Sequence, residues 1–257
     1  MSVVPKLSLR VVSLADSAAR RAAVAENLGA SGLDWAFFDA CRADTPSPLD
    51  VDAGAQRDSF GRALTGAEIG CFKSHAAVLA AFDEDPALDW LMVAEDDVWI
   101  DTDFPYAELA GCLDANGIGF LRLFAREWRK AYPRFRFGER QILFLASDPY
   151  GTQGYLISRE TAARFGARLD AIRRPIDDEM GRFWENGLDN HLLFPFPLIE
   201  RHVPSTMNAA RAGSDRDKPR PSLRRLLAKG GDYIAKRAYL GWRLSPLARD
   251  RVRPRKR

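Results

Sequence analysis

Three consecutive carboxylates, Glu95-Asp96-Asp97, follow a compact apolar run from Leu88 to Val93, with Val98, Trp99, Ile100, Asp101 and Asp103 just beyond them. Holding three acids together is costly, because each repels its neighbours and gives up water, unless a cation or a set of hydrogen bonds compensates. A divalent metal is the simplest compensation. Oxygen-only ligands of this kind suit Mg2+ or Mn2+, which take one or two carboxylates and complete their shells with diphosphate oxygens and water. The chemistry on offer is a metal clamp on a nucleotide diphosphate. The alternative is a solvated acidic turn.

The elements that must position these acids follow from local pattern. The apolar run is a predicted buried strand that delivers the triplet at its C-terminal end, where open α/β sheets bind ligands. Val11-Val12-Ser13-Leu14 predicts an earlier buried strand. Asp16 or Ser17 then caps a helix running through Arg20, Arg21, Val24 and Leu28 to a stop at Gly29 and Gly32. Trp35, Phe37 and Phe38 mark a second short strand, and residues 44–62, rich in Asp, Pro, Gly and Ser, form a polar loop. Thr65-Gly66-Ala67-Glu68 has capping-box spacing and predicts a helix start. Along that helix Phe72, His75, Leu79 and Phe82 share a face, so the imidazole points inward or into a cleft. Further strands at 118–124, 141–146 and 154–157, with helices near 104–115, 159–170 and 177–187, complete an α/β pattern.

A chain of 257 residues with 46% hydrophobic content fits one α/β domain with a tail, and 11% aromatic residues exclude general disorder. The net charge of +3 conceals an asymmetry. Residues 1–215 hold 23 basic and 32 acidic residues, whereas 216–257 hold 15 basic and 3 acidic ones. The expected organisation is therefore an acidic catalytic or binding domain over 1–215 and a basic amphipathic tail over 216–257. In the tail Leu226, Leu227, Tyr233, Ile234, Tyr239 and Trp242 interleave with Lys and Arg, and residues 249–257 are almost purely basic and expected to be disordered. Such a tail seeks an anionic membrane surface, nucleic acid or a phosphorylated glycolipid. Cys41, Cys71 and Cys112 lack the close paired spacing of a zinc or redox motif and are expected to be reduced, packed thiols of a cytoplasmic protein. The N-terminus carries no secretory pattern, and no window approaches the roughly 18 apolar residues of a membrane span, so membrane contact is expected to be peripheral.

Taken in order, several blocks resemble glycosyltransferase family 25, which includes bacterial lipopolysaccharide galactosyltransferases and collagen galactosyltransferases. They are Val11-Val12-Ser13-Leu14 with Ser17 and Arg20-Arg21, then Leu64-Thr65-Gly66-Ala67-Glu68-Ile69-Gly70-Cys71 with Ser74-His75, then Val93-Ala94-Glu95-Asp96-Asp97. Gly154-Tyr155-Leu156-Ile157-Ser158 with Ala162-Ala163, and Pro175-Ile176-Asp177, extend the likeness over roughly residues 8–205. The resemblance implies a GT-A type, Rossmann-like nucleotide-sugar-binding fold. It further implies a UDP-sugar donor, usually UDP-galactose, a saccharide or glycolipid acceptor, Mn2+ or Mg2+, and inversion at the anomeric carbon.

Carried onto this chain, Glu95-Asp96-Asp97 stands for the family's Asp-X-Asp motif, with Asp97 meeting the metal directly or through water and Glu95 facing the ribose or the metal's outer shell. Ser13, Leu14, Arg20, Arg21 and His75 fall at donor-side positions, although Ser13 stands where Asn is frequent and Lys73 where a small or apolar residue is usual; the alternatives are exposed helix side chains for the two arginines and a hydrogen-bonded core histidine for His75. Asp177, with Asp178 and Glu179 beside it, is the candidate general base for the acceptor hydroxyl; the alternative is an acidic helix start stabilised by the dipole. Gly151-Thr152-Gln153-Gly154-Tyr155 offers a turn near the donor or acceptor sugar. The tail would then hold the enzyme at the cytoplasmic face of the inner membrane. Two competing readings are a polyanion-binding protein with a structural acidic turn and a catalytically degenerate transferase. Nucleic acid is not expected as the partner, because that reading leaves the ordered upstream motifs unexplained.

Overall fold

The computed structural model describes residues 4–201 and 223–245. The chain opens as β1 (Leu7–Ser13), α1 (Ala18–Leu28), β2 (Trp35–Asp39), α2 (Ala53–Ser59), α3 (Gly66–Glu84), β3 (Trp90–Glu95) and β4 (Val98–Ile100). It continues as α4 (Tyr106–Ala115), β5 (Phe120–Arg122), β6 (Ala131–Phe137), β7 (Arg140–Leu145), β8 (Gly154–Ser158) and α5 (Arg159–Gly166). It ends with α6 (Ile176–Met180), α7 (Phe183–Asn186), β9 (His191–Phe194), β10 (Leu198–Glu200) and α8 (Leu223–Arg243).

Eight strands form one mixed sheet in the order β2-β1-β3-β8-β5-β9-β7-β6, in which β7 and β8 run against the other six. β4 and β10 make a separate antiparallel ribbon. The sheet is buried on both faces at its centre, and this is why β3 reads as an unbroken apolar run rather than an alternating one. Trp90, Met92 and Ala94 point into one core with Leu9 and Val11, closed by Val24 and Leu28 of α1 and by Tyr106, Leu109 and Leu113 of α4. Leu91 and Val93 point into the other with Val12, closed by Phe72, Val78, Leu79 and Phe82 of α3 and by Ala162 and Phe165 of α5. The result is three layers, helix, sheet and helix.

Several expectations are corrected. The span 44–62 is not all loop: α2 forms within it, capped by Asp52, and Gln56 is drawn inward to donate to the Ile172 carbonyl at 3.0 Å and accept from Leu64 N at 2.9 Å. Ser17 occupies the N-cap of α1, yet its hydroxyl makes no capping bond, and Asp16 pairs with Arg42 at 2.6 Å instead. The single helix expected over 177–187 breaks into α6 and α7 at Gly181, where Asp148 packs so closely that a Cβ would meet Asp148 Oδ2 at 2.3 Å. β6 carries Pro133 and alternating arginines, which disguise it; as an edge strand it tolerates the missing N–H.

The basic tail does contain a helix. α8 lies against the body through Arg182, which forks onto Asp232 at 2.6 and 2.7 Å, and through Asp189, which accepts from Tyr239 and Arg243. Tyr239 also meets the Phe183 ring edge-on. Leu226, Leu227, Tyr233, Ile234 and Trp242 remain exposed. No helix of the described residues is long and apolar enough to cross a membrane. Residues 249–257, expected to be disordered, lie outside the described residues.

Candidate active site

From β1 the chain passes to β2 on one side and later to β3 on the other, so the C-terminal ends of β1 and β3 part at a topological switch point, where α/β sheets bind ligands. A cleft of about 380 Å³ opens there, lined by Ser13, Leu14, Arg20, Arg42, Gly70, His75 and the three acids. A second cleft of about 460 Å³ adjoins it and shares Cys71 and Glu95. It is lined further by Arg62, Arg126, Tyr150, Thr152, Asp177 and Asp178.

The wall between cleft and core is built by α3. Thr65 and Glu68 close a full capping box, and Glu68, almost wholly buried, also takes both arms of Arg62 at 2.7 and 2.8 Å. At Gly70 the helix lies directly on the chain after β2: a Cβ would stand 2.7 Å from the Cys41 carbonyl. Ser74 Oγ accepts from Cys41 N at 2.8 Å while donating to Gly70 O at 2.7 Å. Lys73 donates to the carbonyls of Ala43 and Thr45 at 2.6 and 2.7 Å. Lys73 therefore pins residues 43–45 at the rim.

The three acids have three different surroundings. Asp96 is nearly buried and already compensated, accepting from Ser13 Oγ at 2.7 Å and from Arg20 at 2.8 Å. Ser13 and Arg20, expected on the donor side, thus also hold the triplet to the end of β1. Arg21 stacks on Phe37 and donates to Leu14 O at 3.1 Å, to Ser13 O at 2.8 Å and to Asp39, securing the β1 terminus. Glu95 accepts from Thr152 and faces His75 Nε2 at 3.6 Å; burial pushes its carboxyl up, but His75, Thr152 and Arg126 together bring it below the ordinary value. At Asp97 the pull of the Arg20 charge is outweighed. One of its oxygens is buried without a partner, and burial, then the charges of Glu95, Asp96 and Glu200, push its carboxyl up to about 7. An orphaned, charge-strained carboxylate of this kind fits a divalent cation held by oxygen.

On the far side, Asp177 accepts from Asp178 N at 3.0 Å and Gly151 N at 3.4 Å. Asp178 is pushed up to about 7 by burial first and by Asp177 and Asp148 next. The turn facing them is strained: Tyr150 has φ 59° and Gly151 φ 88°, a left-handed pair that costs a bulky residue energy unless its surroundings enforce it. Arg122 enforces it, donating to Gly151 O at 2.7 Å and Asp148 at 3.2 Å from an almost fully buried position, and Asp148 in turn accepts from Tyr150 N at 3.0 Å.

The structure thus gathers Ser13, Leu14, Arg20, His75, Glu95, Asp96 and Asp97 at one cleft and Asp177 and Asp178 at its neighbour, while Arg21 supports the first from behind. Sequence reasoning passed over Arg122, Arg126 and Asp148. A charged residue inside an apolar stretch, Arg122 within Phe120–Leu123, was the one signal available. The three cysteines are free and partly buried, in keeping with the expected reduced, mostly packed thiols; the grouping of Cys71 with His75 and Glu95, whose ligand atoms lie within 4.8 Å of one another, was not foreseen.

These features define an α/β protein with a ligand cleft at its switch point and carboxylates on both sides of it. Residues 8–180 match the family described as "Glycosyltransferase family 25 (LPS biosynthesis protein)", and the chain belongs to that family. It is 33% identical over 186 residues to the lacto-N-neotetraose biosynthesis glycosyltransferase LgtE of Neisseria gonorrhoeae, covering 64% of this chain and 61% of the relative. It is 32% identical over 174 residues to the lacto-N-neotetraose biosynthesis glycosyltransferase LgtB of Neisseria meningitidis serogroup B, covering 63% and 62%. The match therefore spans about three fifths of these relatives' length. A solved structure, that of a glycosyltransferase involved in the glycosylation of the major capsid of PBCV-1, aligns with TM-score 0.36 and 12% identity over 75% of this chain and 72% of that one, too distant to bear on function.

Proposed function

We propose that this chain is a metal-dependent glycosyltransferase of GT-A type that transfers a hexose, galactose first among the candidates, from a UDP-sugar to a saccharide or glycolipid acceptor of a cell-surface glycan such as lipopolysaccharide. The observation that carries the reading is the upward-shifted carboxyl of Asp97, with one buried oxygen that has no partner, at the switch-point cleft. The donor's nucleotide lies along Ser13, Leu14 and Arg20, with its diphosphate toward the acid triplet. Asp97, with Glu95 beside it, would hold Mn2+ or Mg2+, and such an ion neutralises charge that builds on a departing diphosphate.

The acceptor occupies the second cleft. Its hydroxyl oxygen attacks the anomeric carbon from the face opposite the departing UDP as that bond breaks, which inverts the centre, and its proton passes to a carboxylate on the attacking side. Asp177 and Asp178 both line this cleft. Asp178 suits the base role better, because a pKa near 7 matches the operating pH, while Asp177 is engaged by two backbone donors.

Residues 1–215 form the catalytic unit in this reading, and residues 216–257 a peripheral attachment at the cytoplasmic membrane face. The apolar side chains that α8 leaves exposed beside its basic residues support that role. Flotation with anionic vesicles tests it: binding should vanish on removal of 216–257, and equal behaviour of the full and shortened chains would refute attachment.

The donor site is tested by thermal unfolding with UDP, GDP and their sugar conjugates, with and without Mn2+, since a ligand that binds only the native state raises Tm. A rise that needs both Mn2+ and a UDP compound is the expected result. No rise with any nucleotide would favour a degenerate enzyme or a polyanion-binding protein.

A further inference from the structure

Cys71 and His75 stand four residues apart on α3, a spacing that places thiol and imidazole on the same face. Glu95 reaches them from the end of β3. Among the described residues these three form a group in which one ligand atom of each lies within 4.8 Å of the others. His75 is fully buried, and its Nε2 has no hydrogen-bond partner, standing 3.6 Å from Glu95 Oε1. Its Nδ1 lies 3.0 Å from Tyr155 Oη. When the proton sits on Nδ1, donated to that hydroxyl, rather than on Nε2 facing Glu95, Nε2 turns its lone pair toward Cys71 and Glu95. This is the tautomer of a metal-bound imidazole, with Tyr155 as the outer partner that orients the ring.

We propose that Cys71, His75 and Glu95 form a binding site for Zn2+, distinct from the oxygen-lined position at Asp97. One thiolate, one imidazole and one carboxylate, with an open fourth position toward the clefts that Cys71 and Glu95 both line, is a zinc donor set. Mn2+ and Mg2+ prefer oxygen and are not selected by the thiolate. Binding draws the three atoms in to separations of roughly 3.3–3.8 Å, as bonds of about 2.0–2.3 Å in a tetrahedron require. Glu95 must then exchange its Thr152 contact for the ion. Because Glu95 also borders the donor cleft, zinc occupancy withdraws it from Asp97 and suppresses transfer. That regulatory consequence rests on the glycosyltransferase reading; the binding site does not.

The test uses the full-length, metal-stripped protein titrated with Co2+, whose bond to a thiolate gives a charge-transfer absorption in the near ultraviolet. The band should appear, saturate at one ion per chain and be displaced by Zn2+. Cys71→Ser should abolish it, whereas Cys41→Ser, Cys112→Ser and Asp97→Asn should keep it. Tyr155→Phe should weaken Co2+ binding about tenfold, with the band retained at saturation. Unfolding curves of each variant confirm that the fold is intact. No band in the wild-type protein, or an undiminished band in folded Cys71→Ser, overturns the site.

Transfer with and without Zn2+, taken as a ratio within each protein, should fall in the wild type and not in Cys71→Ser. An equal ratio in both overturns the regulation. Complete lack of transfer under all conditions would instead count against the enzymatic reading, while the cobalt band still decides the site.

Discussion

Asp97→Asn removes one negative charge from a pocket where burial, and then Glu95, Asp96 and Glu200, drive the carboxyl from 3.8 to about 7. At about 1.4 kcal/mol per pKa unit, that rise corresponds to roughly 4 kcal/mol, which partial solvent contact reduces to about 2–4 kcal/mol. Because the folded value lies above the unfolded one, the ionised form opposes folding. The penalty is absent below about pH 4, grows between the two values and is complete above about pH 7. Without metal the Asn variant should therefore match the wild type near the acid end and exceed it by about 2–4 kcal/mol at about pH 8, a gain of roughly 4–16 °C in Tm for a chain of this size. Urea unfolding across pH in the presence of a chelator measures it. Adding Mn2+ and UDP should then stabilise the wild type alone, and transfer should disappear in the variant. A variant less stable than wild type at about pH 8, or a difference that ignores pH, would show that Asp97 is compensated by the protein itself and needs no cation.

Asp178→Asn should lower kcat by about 10²–10⁴-fold with little change in donor KM, and should lose more than Asp177→Asn; the reverse order in steady-state kinetics would transfer the base role to Asp177. Wild-type rate should rise with pH through about 7, as the Asp178 base must be ionised to act. His191 is buried, both its ring nitrogens lack partners, and burial holds its pKa at about 4, so it is neutral in the fold. The unfolded chain takes up that proton first, and stability should drop by about 2–3 kcal/mol as pH falls from about 6.5 to 4. His191→Leu should erase this drop at little cost near neutrality; an unchanged acid slope would refute the assignment. Arg122→Met strands the buried Asp148 carboxylate and the Gly151 carbonyl and should cost about 3–5 kcal/mol in chemical unfolding. A loss under about 1 kcal/mol would mean that the Tyr150–Gly151 turn holds itself.

Elements whose signals sit within a few residues were legible from the chain. The capping box of Thr65 and Glu68, the apolar run into Glu95 and the stop at Gly29 all depend on neighbours one turn or one strand away, and each is found where those patterns put it. The acid triplet and its cleft were legible for the same reason, since a strand that ends in charges must deliver them to an opening. Tertiary structure alone decided what each acid does. Asp96 is satisfied because Ser13 at the end of β1 and Arg20 of α1 reach it, whereas Asp97 stays uncompensated because it is buried beside Glu95 and Asp96, with Glu200 adding to their charge. Gly181, between α6 and α7, sits where Asp148 leaves no room for a Cβ, and the zinc donor set exists because Glu95 of β3 meets one face of α3. The basic character of the tail is plain in composition, but the seating of its helix depends on Asp232 meeting Arg182 and on Asp189 meeting Tyr239 and Arg243. Pairings across that much chain carry no local signature, because only burial of the whole sheet brings the partners within reach.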